Sequence, residues 1–364
     1  MDAEASTSWP EVSSSGTPST GHADTALCTW YNIFMRDIFG GLVIVVGLVG
    51  NGLTIVIMGR DRRKSSTIRM LFYLAIVDSL ILIVYGIIAM PTPLLKLQDL
   101  YVEASNHQVI SISVLSYVGQ TLNQISVLFT LIVTWQRYVS IYIPLKAKIY
   151  TSSDNTNKMA VAATLFAVIF FLPNFFHNSF TTDSTGELQP LAEPFSKNSI
   201  YQMIYSISLL YLFSYVGPIV ALIVMGTTLL QNIRDSFKKK ATMKAKEELT
   251  LSLVGVILIF IICQSISPLR RILMWVYAPY HIAVQCGNVL FFFGPIYLIS
   301  FLVNSAANFI IYVLFARGFR RKVFKFIRRN RRVDPVQQFG LSWTLAQNTN
   351  GDGGPIETSF VHPC

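Results

Sequence analysis

Asn304-Ser305-Ala306-Ala307-Asn308-Phe309-Ile310-Ile311-Tyr312 closes the last of seven long apolar stretches in this chain. It sets amides, a hydroxyl and a phenol into a segment that is otherwise soluble in hydrocarbon. Polar groups in such a place cost free energy unless they find partners, so a cluster of them marks an internal working site. A matching group, Asp78, stands alone in the second apolar stretch. Together they predict a polar switch inside a seven-helix bundle.

The composition around that stretch sets the class. Hydrophobic residues make up 52% of the chain and charged ones 13%, about half the charged share of a soluble domain. Apolar runs of about 20 residues can cross a bilayer as helices. They fall at 39–59, 70–94, 109–136, 159–176, 201–231, 249–276 and 283–315, and five of them contain no Asp, Glu, Lys or Arg. Soluble core helices alternate polar and apolar faces, and these do not. The expectation is an all-α integral membrane protein spanning the bilayer seven times.

Charge orients the bundle. With the N-terminus outside, 24 of the 29 Lys and Arg fall on the inner side, and only Arg36, Lys96, Lys197, Arg270 and Arg271 on the outer. Lys and Arg resist translocation, so the bias predicts an outside N-terminus and an inside C-terminus. The net charge of +10 is thus a topology signature. It lies in short juxtamembrane clusters suited to anionic lipid head groups, not to nucleic acid. The chain divides into a Ser/Thr-rich outer segment (1–37), the membrane domain (38–328) and a polar tail (329–364) expected to be disordered. Residues 1–36 have no apolar core for a cleaved leader, so the first membrane helix is expected to act as an uncleaved signal anchor. The outer segments hold no Asn-x-Ser/Thr sequon. Neither a nucleophile–base pair nor a phosphate loop is apparent, so no enzyme and no resident cofactor is expected.

Five motifs in order sharpen this. Gly50-Asn51, Leu74-Ala75-Ile76-Val77-Asp78, Gln136-Arg137-Tyr138-Val139-Ser140-Ile141 with Pro144-Leu145, Leu172-Pro173-Asn174-Phe175-Phe176, and Asn308-Phe309-Ile310-Ile311-Tyr312 run along the chain. The set resembles rhodopsin-class (class A) G-protein-coupled receptors across the membrane region. Phe309, where most of that family has proline, and the Leu-Pro-Asn-Phe-Phe run are similar to the invertebrate FMRFamide-receptor group. The resemblance implies a plasma-membrane receptor for a short neuropeptide, the RFamide type being one candidate, with heterotrimeric G proteins and arrestin as inner partners. It also implies an amphipathic eighth helix at 315–327, with Phe319, Val323, Phe324, Phe326 and Ile327 facing lipid.

Each candidate residue carries a bland alternative. Asp78 is a lone intramembrane carboxylate, functional by default. The resemblance implies a sodium ion held with Ser126, Asn304, Ser305 and Asn308, all oxygen donors for a hard cation, with Asn51 as a further polar partner. The alternative is a hydrogen-bond knot that tightens packing. Arg137 is implied to swing beneath the G protein, with Tyr138 beside it and Tyr312 as a second switch; the alternatives are a snorkelling arginine and an interface tyrosine. Gln136 stands where the family is usually acidic, and an amide holds a guanidinium more weakly than a carboxylate does. Pro218 and Pro268 are expected hinges. Pro268 arrives late after Phe260-Ile261-Ile262-Cys263-Gln264, which leaves the register of the sixth helix open, and the fourth helix lacks the family's tryptophan.

The family's disulfide joins the third helix to the second outer loop, and neither has a cysteine here. The resemblance makes Cys28 and Cys286 neighbours on the oxidising side, so a bridge between them is expected, two free thiols being the alternative. Ten outer acids against five basic residues attract a cationic ligand. Tyr117, Gln120, Asn123 and Gln124 on the third helix, with Gln264 and Arg271 on the sixth, are the candidate pocket. Arg270 and Arg271 are expected to pair with outer acids or a ligand carboxylate. An amine receptor would carry an aspartate near Gly119, and an opsin a lysine in the seventh helix, where residues 247–321 have none. A receptor for a non-peptide ligand is the second reading, and an ion- or proton-coupled transporter, lacking visible inverted repeats, the third.

Overall fold

The computed structural model describes residues 27–28, 30–238, 245–276, 286 and 288–331. Among these, seven helices are long and apolar enough to cross a membrane: α1 (Trp30–Asp61), α2 (Ser66–Leu97), α3 (Tyr101–Tyr142), α4 (Ser153–Phe176), α5 (Ser199–Asp235), α6 (Ala245–Val276) and α7 (Val289–Phe315). An eighth helix, α8 (Arg317–Arg331), follows α7 after a break at Ala316. A short helix, Pro144–Tyr150, links α3 to α4. Between α4 and α5 an antiparallel hairpin pairs β1 (Asn178–Thr182) with β2 (Leu188–Ala192), with Phe180 opposite Pro190. The hairpin end is the one that the charge bias leads one to expect outside, and the Arg137 end the one expected inside.

The apolar runs are helical because hydrocarbon offers a backbone no other partner. Their bulky exposed residues, such as Val45 on α1, Ile169 on α4 and Ile262 on α6, face outward where lipid would lie. Inward, small residues let helices close. A Cβ on Gly47 would stand 2.6 Å from Leu82 and 2.7 Å from Ala306, and one on Gly50 2.8 Å from the Phe309 ring. Alanine at Gly47 would press α1 off α2 and α7, and at Gly50 off α7. Gly119 similarly leaves room for the Tyr85 ring, which stacks on Phe301. The core runs through Leu74, Ile81 and Leu82 of α2, Val127 and Val133 of α3, Leu222 of α5, Phe260 of α6, and Leu302 and Tyr312 of α7.

Prolines bend this frame and leave carbonyls to be satisfied. Pro91 in α2 cannot donate to the Ile87 carbonyl. His107 of α3 supplies the missing donor, with Nε2 at 2.9 Å from Ile87 O, while Thr92 Oγ1 lies 2.8 Å from Nδ1. A carbonyl only accepts, so the ring carries its proton on Nε2. Before Pro218 in α5 the chain takes wide turns over Leu212–Val216. Tyr211 donates to the carbonyl of Pro268 in α6 at 3.3 Å, so the two expected hinges are joined. Pro295 inside α7 is a fourth such proline, not singled out from the sequence.

Several boundaries differ from the sequence reading. α1 begins at Trp30 rather than 39, and α3 at Tyr101 rather than 109. Polar outer turns such as Glu103–Asn106 lower hydropathy without breaking the helix. The α8 expectation is half right. Phe324 and Ile327 are exposed, but Phe319 and Val323 are buried, Phe319 against Phe309 and Tyr312. A helix that packs back on its bundle must spend part of its apolar face there. Asp61 at the end of α1 fastens it further, accepting from Lys322 of α8 and from Lys64. Residues 1–26, 29, 239–244, 277–285, 287 and 332–364 lie outside the described residues; of the tail expected to be disordered from 329 on, Arg329, Asn330 and Arg331 instead extend α8.

Candidate functional site

Asp78 is fully buried at the meeting of α2, α3 and α7. Its Oδ1 accepts from Ser126 Oγ at 2.8 Å, and its Oδ2 from Asn308 Nδ2 at 2.7 Å. Residues 48 and 230 positions along the chain from Asp78 thus meet on one carboxylate. Asn51 of α1 joins from the side, donating to the Ser305 carbonyl at 3.0 Å rather than to Asp78. Asn304, Ser305 and Asn308 are all buried on α7.

Two neutral donors do not balance a buried charge, which is costly in low dielectric. Around it, Asn51 Oδ1, Ser305 Oγ and Tyr312 OH are buried with no hydrogen-bond partner. Such orphan oxygens are rare in folded proteins. An all-oxygen set beside a carboxylate is the donor chemistry of a small hard cation, so the residues present fit one.

At the inner end, Gln136 corrects the expectation. It is fully buried, but its Nε2 donates to Thr156 Oγ1 of α4 at 3.0 Å. Thr156 is held in turn by donating to Ser152 O at 2.8 Å. Side chains of adjacent helical residues diverge by about 100°, so Gln136 points away from Arg137. Arg137 Nε is buried without a partner. The described acid of inner α6, Glu248, lies 3.9 Å from Arg317 at the start of α8. Tyr138 stacks on Tyr142, which donates to Thr228 O of α5 at 2.9 Å.

Midway, Gln264 donates to Asn123 Oδ1 at 2.9 Å, and Gln124 to Phe213 O at 3.2 Å. Gln264 sits four residues before Pro268, so the proline frees the backbone carbonyl of the residue whose side chain holds α3. The amide and the proline thus fall on one turn of α6. Gln120 is half-buried and outside this network. Arg270 lies 4.8 Å over the Tyr297 ring, a cation–π contact. It makes no ion pair with an acid among the described residues, against the expectation. Arg271 lies on α6, and its side chain is outside the described residues.

At the hairpin end of the bundle, Cys28 and Cys286 are joined, with Cα atoms 5.9 Å apart. The bridge ties the segment before α1 to the turn before α7, next to Tyr31, which donates to Phe292 O at 2.7 Å. On the other side, His177 lies with Nδ1 3.4 Å from Tyr117 OH of α3 and Nε2 2.8 Å from Tyr201 OH of α5. Burial pushes its pKa below the ordinary histidine value. The sequence reading missed His177, His107, Thr156 and Tyr142. Only Pro91, four residues after Ile87, offered a signal, since it announces a carbonyl in need of a donor.

The family model of the 7 transmembrane receptor (rhodopsin family) matches residues 50–312. The chain belongs to that family. Its members are receptors, not enzymes, and the match runs from α1 to Tyr312 of α7, taking in the whole Asp78 convergence. The chain is similar to the FMRFamide receptor of Drosophila melanogaster, at 22% identity over 86% of this chain and 57% of that protein. It thus spans less than two thirds of that relative's length. The probable G-protein coupled receptor frpr-1 of Caenorhabditis elegans is 24% identical over 84% of this chain and 82% of its own. Neuromedin-U receptor 1 of Mus musculus is 31% identical over a shorter stretch, 36% of this chain and 30% of its own.

Proposed function

We propose that the chain is a plasma-membrane receptor with its hairpin end outside, activated by a short peptide and signalling through heterotrimeric G proteins. The observation that carries this is the convergence of α2, α3 and α7 on Asp78. A carboxylate held by donors from two other helices ties their positions to its charge state. A ligand that favours one arrangement of the three helices then shifts the population of the inner face.

Sodium is proposed to rest at Asp78 with Ser126, Ser305 and Asn308, where it would neutralise the carboxylate. Ser126 and Asn308 orient that carboxylate, and Tyr312 lies one turn further in. Arg137, without a partner on Nε, is the group proposed to meet the G protein. Arrestin would use the same inner face, and α8 would lie on anionic lipid through its Arg and Lys. The relatives' names favour a peptide, and the acid-rich outer surface favours a cationic one, of the RFamide type.

A library of amidated and free-acid neuropeptides, applied to transfected cells with calcium and cAMP readouts, tests this. Amidated peptides bearing an arginine should give saturable responses. Silence to peptides together with a response to a non-peptide ligand would contradict the peptide reading.

A further inference from the structure

α3 is the longest of the seven helices, at 42 residues. On its outer extension the Asn106 side chain meets the turn of the hairpin. Its Oδ1 accepts from Leu188 N–H at 2.7 Å, and its Nδ2 donates to Gly186 O at 3.1 Å. One amide thus gives the hairpin the donor and acceptor that another strand would offer. The turn it grips is pre-shaped. Asp183 Oδ1 accepts from Thr185 N, Thr185 Oγ1 and Glu187 N, and Gly186 takes φ +86°, which favours glycine. The hairpin base is also held by polar contacts. Glu193 N donates to His177 O at 2.9 Å, and the His177 ring lies between Tyr117 and Tyr201. The sequence has no cysteine between Cys28 and Cys263, so no disulfide within that stretch can fasten the hairpin to α3.

We infer that Asn106 is the positioning residue that latches the hairpin to the outer turns of α3, and that the hairpin lifts when this latch lets go. The inference rests on the proposed receptor function only in taking the hairpin end as the outer one. Release at the tip exchanges two neutral hydrogen bonds for water, while the His177 base stays as the hinge. Bonds of that kind hold a segment closed most of the time and let it open locally without unfolding the bundle. Across the same end, Cys28–Cys286 straps the segment before α1 to the turn before α7. That end is therefore fixed on one side and movable on the other.

The full chain carrying Gln120→Cys, one turn below Tyr117, reports opening without any ligand. A charged methanethiosulfonate reagent added from the hairpin side labels that thiol, with the Gln120 parent as control for Cys263. Asn106→Ala should raise the labelling rate about tenfold, the scale set by two such hydrogen bonds. Asn106→Asp keeps the acceptor for Leu188 but has no donor for Gly186, and should give a smaller rise. Thermal unfolding of the bundle should be the same in all three. Equal labelling rates, or a rise that tracks a loss of bundle stability, would overturn the latch. If the reporter thiol does not label, deuterium exchange at amides 178–192 decides. Faster exchange in the order Asn, Asp, Ala supports the latch, and equal exchange rejects it. No ligand enters either measurement, so failure here leaves the receptor reading standing.

Discussion

The inner and outer halves of this molecule are held by different means. Inside, buried side chains from distant helices bond to one another: Ser126 and Asn308 to Asp78, Gln264 to Asn123, Gln136 to Thr156. Outside, a disulfide straps one edge, and side chains grip backbone at the other, as His107 does at Ile87 and Asn106 at the hairpin turn. A buried polar bond cannot be replaced by water, so the inner half is expected to change state as a unit. An exposed one can, so the outer half opens piecewise.

The sharpest way to break that contrast is to remove one group from each half. Asn308→Ala leaves the Asp78 carboxylate with Ser126 alone and should cost about 3 kcal/mol of bundle stability, the range for stranding a buried charge. Asn106→Ala should cost less than about 1 kcal/mol, because the hairpin can open without the bundle. Thermal unfolding of the purified chain and the two variants checks both. Similar losses would erase the distinction.

A smaller effect separates two readings of Gln136. If its work is to join α3 to α4, Thr156→Val and Gln136→Glu should both lower stability, by about 1–2 kcal/mol, and neither should lower ligand-free signalling. If it restrains Arg137, Gln136→Glu alone should lower basal signalling at matched surface expression. The geometry favours the first outcome.

The smallest effect is one of pH in the outer half. Burial holds the folded pKa of His177 below its unfolded value, so folding favours the neutral ring. Its contribution is complete above an unfolded pKa of about 6.5 and is lost as pH falls from there through the lower folded value. Exchange at amides 178–192, taken relative to the intrinsic amide rate at each pH, should therefore quicken between about pH 7 and 5 in the wild type and stay flat in His177→Gln. A matching rise in the variant would place the titration elsewhere.

The two halves also differed in how readily they could be read. Asp78, Asn308 and Ser126 stand out because a polar letter in an apolar run needs an explanation, and the helical period brings such letters to one level. Asn106 and His107 gave no such signal. They are polar residues in a polar segment, and their partners are backbone atoms placed by a hairpin turn and a proline bend that no periodicity encodes. Gln136 was legible as a departure from its family but not as a contact. Which of two neighbouring helical residues faces α4 depends on the rotation of α3, a tertiary property. Phe319 and Val323 were assigned to lipid for the same reason, since an apolar stripe does not say whether bundle or bilayer covers it.

The central claim is that the Asp78 convergence is a working switch and not a packing knot. Thermal unfolding of the purified chain in sodium chloride and in choline chloride, at equal ionic strength, tests it most directly. A site that takes a small cation in one state should raise the wild-type melting temperature in sodium and leave Asp78→Asn unmoved, because a ligand stabilises the state that binds it. Equal melting temperatures for the wild type in the two salts, or an equal sodium shift in Asp78→Asn, would contradict it.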